Sequence, residues 1–254
     1  MATTRLRPMS MGEILDASFA LLRHHAGVFF GIAIICQGVP TGLSLFVQFS
    51  GGPARHFWLS VLGQVLSMFG YLLVTGASIR VVSQAYLGHD PGMAEALNFA
   101  FAKLGRTLSA GLSAGILTIL ATFLFIIPGI VVACGLAVAV QAAVLEPLKS
   151  GSDGVGRSWT LTKGFKWKAF GLYFVVGVLF FLFLFGFGIV AGIAAALFQP
   201  LVVPAVIGMG LVFLFLYPFT SCVFTLFYYD LRVRKEAFDL QVLSQNLGIA
   251  AARA

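Results

Sequence analysis

Six apolar stretches constrain this chain more than any other feature, because each can cross a hydrocarbon core of about 30 Å, which takes roughly 20 helical residues. They lie near Ala26–Phe49, Phe57–Ile79, Thr107–Ile127, Ile130–Leu145, Ala169–Leu197 and Leu201–Tyr229. Lipid offers backbone N–H and C=O groups no partner, so such stretches must satisfy their own hydrogen bonds as helices. The expected fold is an all-α integral membrane protein with six transmembrane helices. The composition agrees: only 10% of residues are charged, against about 25% in a soluble domain. Pro128-Gly129 and Gln199-Pro200 separate neighbouring runs, so those runs read as tight hairpins. Pro40, Pro204 and Pro218 should kink or reset their helices.

Charge placement sets the direction of the spans. Of sixteen Lys and Arg, only Arg55 falls in a loop on the opposite side; the rest lie at the N-terminus, near 80–106 and 146–168, or at the C-terminus. All nine Asp and Glu share that side. The positive-inside rule then places both termini in the cytoplasm. Glu13 and Asp16 interrupt any apolar core near the start, so no signal-peptide cleavage is expected. Nucleic acid is not an expected partner of the net charge of +7. Cys36, Cys134 and Cys222 are odd in number and widely spaced, which gives neither a disulfide framework nor a zinc pattern.

A repeat organises the charged side. MGEILDASFALL from Met11 aligns with MAEALNFAFAKL from Met93 at six of twelve positions, and Asp153, Val155 and Trp159 repeat the spacing of Glu13, Leu15 and Phe19. The single membrane domain, 1–254, therefore divides into units near 10–86, 90–148 and 152–229, each an amphipathic surface helix followed by a hairpin, with a helical tail at 230–247. Ser10 and Glu13 form a capping-box pattern, and Asp90-Pro91 suggests an N-cap and a first-turn proline. Met11, Leu15, Phe19 and Leu22 line one face of the first helix, as Met93, Leu97, Phe101 and Leu104 do in the second. Such a face can lie in the inner membrane interface or pack under the bundle.

Catalytic patterns find little support. Gly111-Leu112-Ser113-Ala114-Gly115 matches a nucleophile elbow, but that chemistry needs a strand-to-helix turn with a nearby base. Here the motif sits inside an apolar run, and His24, His25, His56 and His89 lie at membrane edges or in loops. No ionisable residue lies mid-span, where one would mark a metal or proton path. Adjacent His24 and His25 should point about 100° apart on a helix, a poor ligand pair. No catalytic residue, cofactor or metal is assigned. The Gly27/Gly31, Gly111/Gly115 and Gly188/Gly192 pairs are read as helix packing points.

Two charged groups remain as candidate lipid or partner contacts. Glu146, Arg157, Trp159 and Lys163 make either an ion pair that fixes a loop or a headgroup site in which Arg157 and Lys163 hold phosphate. Arg232, Arg234 and Lys235 lie in YYDLRVRKEAFDL, where i,i+4 pairs (Asp230 with Arg234, Arg232 with Glu236, Lys235 with Asp239) let the last span continue as a helix. Their expected role is attraction to anionic headgroups.

The stretches RPMSMGEILDASF, IIPGI with AVLEPL, GRSWTLTKGFKW and YYDLRVRKEAFDL together resemble bacterial membrane proteins grouped with the membrane domain of glycerophosphodiester phosphodiesterases. The resemblance implies a helical bundle in the bacterial inner membrane. It implies no activity, since in that family the chemistry belongs to a separate soluble domain that this sequence lacks. The expected function is a non-enzymatic organiser of membrane lipids, or of other membrane proteins in a complex, at the cytoplasmic face. The alternative is a small transporter or lipid-moving protein, with Gly186 and Gly188 as hinges. The topology is checked by single-cysteine labelling in a Cys-free background. A cysteine at Gly51 should react from outside and cysteines at Ser152 and Ser244 only from inside; the reverse pattern overturns the orientation.

Overall fold

The six apolar runs are helices in a computed structural model of the chain, which describes residues 7–198 and 202–237. Among the described residues there are nine helical segments: α1 (Met11–His24), α2 (Ala26–Phe49), α3 (Phe57–Tyr86), α4 (Met93–Leu124), α5 (Ile126–Gly135), α6 (Ala139–Leu145), α7 (Asp153–Thr162), α8 (Lys166–Leu197) and α9 (Val202–Glu236). Six helical stretches are long and apolar enough to cross a membrane, with α5 and α6 together forming one of them. By length and composition these are the spans of a multi-pass membrane protein.

At the two extremes burial runs opposite to hydropathy. The α8 span has a mean hydropathy of 2.8 and only 6% of its most apolar window buried, whereas the α9 span has 1.6 and 67%. In water that ordering would leave a large apolar exterior uncovered; in a bilayer, lipid covers it. Helix α9 is the axis of the bundle. Its Leu216, Phe219, Val223, Leu226, Phe227 and Leu231 are buried, and it packs on α1, α2, α3, α6, α7 and α8.

Lipid tails are as apolar as leucine, so close packing and interhelical hydrogen bonds, rather than water exclusion, must join these helices. Pro40 removes the donor that would bond the Cys36 carbonyl one turn earlier, yet α2 continues through it. That carbonyl faces α3 at Gly70, where an added Cβ would lie 2.5 Å from it. Gln37 donates to the Ser67 carbonyl at the same contact (3.2 Å). Of the G-x-x-x-G pairs read from the sequence, Gly111/Gly115 is not a packing point, and in Gly27/Gly31 only one member is. A Cβ at Gly27, Gly111, Gly115 or Gly192 would meet nothing within 4 Å, whereas Gly31 makes a close approach to the Met93 sulfur. In a glycine-rich chain that spacing recurs without marking a contact.

Several boundaries differ from the sequence reading. The second surface helix is continuous with the third span in α4, because no breaker lies between Met93 and Leu124. Its N-cap is Gly92 rather than Asp90, as the helix begins two residues after Pro91. The break after the third span falls at Phe125, with Pro128 in the first turn of α5, where a missing N–H costs nothing. Helix α9 carries Pro218 internally and runs on through Arg234 to end near Ala237, whose φ is +49°. The Gln199-Pro200 break, Asp239 and the tail from 238 onward lie outside the described residues.

The fourth span is interrupted between Gly135 and Ala139, and α7 fills the gap. Ser158 Oγ donates to the Gly135 carbonyl (2.9 Å) and accepts from the Val138 N–H (3.2 Å), while Thr162 Oγ1 donates to the same carbonyl (2.9 Å). The close contact at Gly70 gives a direct test. Gly70→Ala should destabilise the bundle by about 1–3 kcal/mol by forcing α2 and α3 apart. Gly111→Ala, in open space, should be neutral or slightly stabilising through helix propensity. Thermal unfolding in detergent distinguishes the two; equal melting temperatures would contradict the packing argument.

Candidate functional site: a charged layer around the end of α9

The three surface segments bury equivalent positions. Ile14 and Ser18 in α1, Ala96 and Ala100 in α4, and Gly154 and Ser158 in α7 are buried, while Phe19, Phe101 and Trp159 are exposed in the same register. The apolar stripe of α1 is therefore split, with Met11 and Phe19 exposed and Leu22 buried, and Ile14 and Ser18 face the bundle beside it. Close approach explains this choice: a Cβ at Gly154 would lie 2.5 Å from the Ala139 carbonyl. The Ser10–Glu13 capping box closes as expected, with Ser10 N–H donating to Glu13 (2.6 Å) and Glu13 N–H to Ser10 Oγ (3.2 Å). Those bonds and the Arg7 pair hold the Glu13 carboxyl down at about 2. Because that value lies below the unfolded one, the box contributes fully above pH 4.5 and is lost as pH falls towards 2.

Each surface segment is tied to the end of a span, in two cases the one before it. Helix α4 meets α3 through Glu95, whose Oε1 accepts from Arg80 Nη2 (2.6 Å), Arg80 Nε (3.3 Å) and Gln84 Nε2 (2.7 Å). Helix α7 meets α6 through Arg157 Nε, which donates to Glu146 Oε2 (2.7 Å). The segment before α1 meets α9 through the Met9 N–H, which donates to Asp230 Oδ1 (2.7 Å). The cycle closes, since the last span holds the first surface helix.

Asp230 is fully buried, and burying a lone carboxylate costs several kcal/mol unless hydrogen bonds and opposite charge compensate it. Besides Met9, it accepts from Lys168 Nζ (2.6 Å) and from Arg234 Nε (3.0 and 3.1 Å). Both cations also donate to the Met9 carbonyl, at 2.6 and 2.8 Å. A second network continues along α9. Tyr228 OH donates to Glu146 Oε1 (2.9 Å), Arg157 bridges Glu146 and Glu236, and Arg232 Nε donates to Glu236 Oε2 (2.9 Å). Burial alone would push the Arg157 guanidinium down, but hydrogen bonds to Glu146 and Glu236 outweigh it and hold it above its ordinary value. Tyr229 OH and Ser83 Oγ join this layer to α3 at 2.6 Å.

The sequence candidates thus fall into two sets. Glu146 and Arg157 form the predicted ion pair, and Arg232 and Arg234 form the predicted i,i+4 pairs with Glu236 and Asp230. Lys235 Nζ donates to the Thr160 carbonyl at 2.6 Å. Much of the donor capacity expected to meet headgroups is spent inside the protein. Trp159 and Lys163 instead remain exposed at the end of α7. Met9, Lys168 and Tyr228 were missed; the available signal was Asp230, a carboxylate placed directly after an apolar run, which demands a cation from elsewhere.

Ser113 Oγ donates to the Ser109 carbonyl of its own helix at 2.7 Å, and among the described residues no three His, Cys, Asp or Glu side chains group as metal ligands. His24 and His25 do not diverge as one helix would make them: α1 ends between them, and the rings meet edge-on with centroids 4.7 Å apart. Comparison with family models, curated proteins and solved structures found no match.

Removing one partner from the Asp230 cluster strands buried charge, so Asp230→Asn should destabilise the protein by about 3 kcal/mol or more. Lys168→Met should cost a similar amount, and the double variant less than the sum, because the two share one interaction. Thermal unfolding of the three variants in detergent tests this; strict additivity would show that the groups act independently.

Proposed function

We propose that the chain is a bacterial inner-membrane protein with both termini in the cytoplasm and its spans arranged as three hairpins. It performs no catalysis and organises anionic headgroups at its cytoplasmic face. The resemblance carried by RPMSMGEILDASF and GRSWTLTKGFKW supports the bacterial setting, and the distribution of Lys and Arg supports the sidedness.

The observation that carries the lipid reading is the corner between α7 and α8. Gly164, with φ +88°, turns the chain there, a conformation that residues with a Cβ rarely adopt. The Lys166 ammonium lies 3.4 Å from the Trp159 ring centroid, Lys163 is exposed, and Trp167 beside it is 86% exposed. Indole rings and ammonium groups together suit the headgroup layer, where Trp collects and each basic residue near an anionic surface is worth on the order of 1 kcal/mol. Ser158, Thr162 and Arg157 hold this corner from beneath, so its geometry persists without lipid.

The double variant Lys163→Gln/Lys166→Gln should lose about 2 kcal/mol of headgroup attraction, roughly a thirtyfold drop in anionic lipid retained. Native mass spectrometry after extraction from mixed phosphatidylglycerol and phosphatidylcholine vesicles measures it. Unchanged retention would end the lipid reading. Hydrolysis of a glycerophosphodiester that disappears in Ser113→Ala would end the non-enzymatic one.

A further inference from the structure

Length and composition make Ile126–Leu145 a candidate span, yet its contacts return it to the charged layer halfway along. Thr162 Oγ1 donates to the Gly135 carbonyl (2.9 Å), and the Thr162 carbonyl accepts from the N–H of Phe165, the N-cap of α8 (2.8 Å). The Trp159 ring leaves no room for a Cβ at Gly135 and holds the Lys166 ammonium 3.4 Å from its centroid. Gly135 therefore sits at the first turn of α8, near Lys168, which pairs with Asp230 (2.6 Å). The other end of the stretch, Glu146, is held in the same layer by Arg157 and Tyr228. Helix α6 thus joins two points of the layer and adds nothing to a crossing.

Only α5 leaves the layer. Its ten residues, at 1.5 Å each, reach about 15 Å, half of a hydrocarbon core of about 30 Å. The layer stands at or below the inner edge of that core, since α9 runs about 42 Å from Asp230 to Val202. Helix α4 could reach further, about 27 Å from Arg106 to Leu124, and Arg106 starts in the layer, donating to the Glu146 carbonyl (3.4 Å). It shares its tip with α5, however: Thr122 packs so closely on Gly129 that a Cβ would not fit. The longer limb must run obliquely, and the tip stays within the reach of the shorter one.

The residues of the tip agree. From Phe123 to Val140 there is no charged, hydroxyl or amide side chain, and Phe123, Leu124, Phe125, Ile126 and Ile127 are all exposed. The turn between α2 and α3 instead carries Ser50, Arg55 and His56, as a turn that meets water should. We infer that the α4–α5 hairpin does not cross: it enters the cytoplasmic leaflet, turns at Phe125 and returns, so that its tip is an interaction surface for the upper acyl chains and glycerol region of that leaflet alone. The turn keeps the Phe125 N–H on the Ala121 carbonyl and the Gly129 N–H on the Phe125 carbonyl (both 3.1 Å), and Pro128 has no N–H to place. The few backbone groups left over would find no partner at mid-bilayer, whereas water and ester groups lie within reach at the inner edge. Helices α2, α3, α8 and α9 then make the full crossings, and Lys103, Arg106 and Lys149 keep the side that the positive-inside rule assigns them. The leaflet named rests on the orientation proposed above; that the tip shares a side with Ser152 does not.

Right-side-out and inverted membrane vesicles carrying the full chain provide the test. Phe125→Cys and Ile127→Cys are each labelled with a fluorophore in the parent background, whose three cysteines are buried, with the parent as blank. A single-chain lipid bearing a nitroxide high on its acyl chain enters only the leaflet exposed to the medium. It should quench either label several-fold more in inverted vesicles than in right-side-out ones. Quenching that is equal in the two, stronger in right-side-out vesicles or absent from both overturns the proposal. Impermeant maleimide applied to Gly51→Cys and Ser152→Cys reports orientation separately. A reversed maleimide pattern overturns the orientation alone, and the tip should then still be quenched from the side on which Ser152→Cys reacts.

Discussion

A single buried carboxylate organises the charged end of this bundle. Asp230 lies on the central helix with no exposed surface, and a bare charge there would cost more than most other contacts in the protein return. Its compensation requires Lys168 from α8, Arg234 one turn further along α9, and the backbone N–H of Met9. Those three demands fix the position of α8, the continuation of α9 beyond Tyr229 and the entry of α1. Lys168 and Arg234 then meet again on the Met9 carbonyl, so two cations and one anion hold both polar groups of one residue. Charge-assisted bonds are stronger than neutral ones and more demanding in direction, which suits a layer meant to hold one geometry.

The layer also resolves a difficulty of helix association in lipid. Where burial of apolar surface contributes little between spans, specificity must come from places where backbones touch and polar groups pair. Gly70 against the Cys36 carbonyl is the first kind, and the Glu146–Arg157–Glu236 chain is the second. The exterior, exemplified by Phe123 at 92% exposure, carries hydrophobicity without contact. The most apolar helix is consequently a peripheral one and the least apolar span window is the central one.

The spans were legible because the requirement for about 20 apolar residues is written locally. So were the Ser10–Glu13 box, the pairs along α9 and the ion pair of Glu146 with Arg157, which involve neighbours in sequence or in a short loop. The repeat was visible in residue identities, but which part of its apolar stripe meets the bundle was left open: Leu22 is buried, while Phe19 and Phe101 stay exposed. Large apolar residues such as Phe19 and Phe101 attract attention, while the packing positions are held by Ser18, Ala100 and Ser158, whose smallness lets helices approach. The Met9–Asp230 bond spans 221 positions, and nothing in a one-dimensional pattern distinguishes Met9 from Met11. That Arg80 and Gln84 converge on one oxygen of Glu95 is likewise a matter of geometry alone.

The contact between the first and last elements bears on how the protein is made. The segment at Met9 is synthesised before either of its anchors; Lys168 follows with α8, and Asp230 only with α9. Until then α1 lacks its seat and the Met9 N–H has no carboxylate from the bundle to hold it in place. Insertion can proceed span by span, but closure of the charged layer is a single late event. A nascent chain stalled before Tyr228 would already contain five of the six spans and none of the lock that α9 provides. Loss of α9 is thereby converted into a defect at α1, at the opposite end of the described residues.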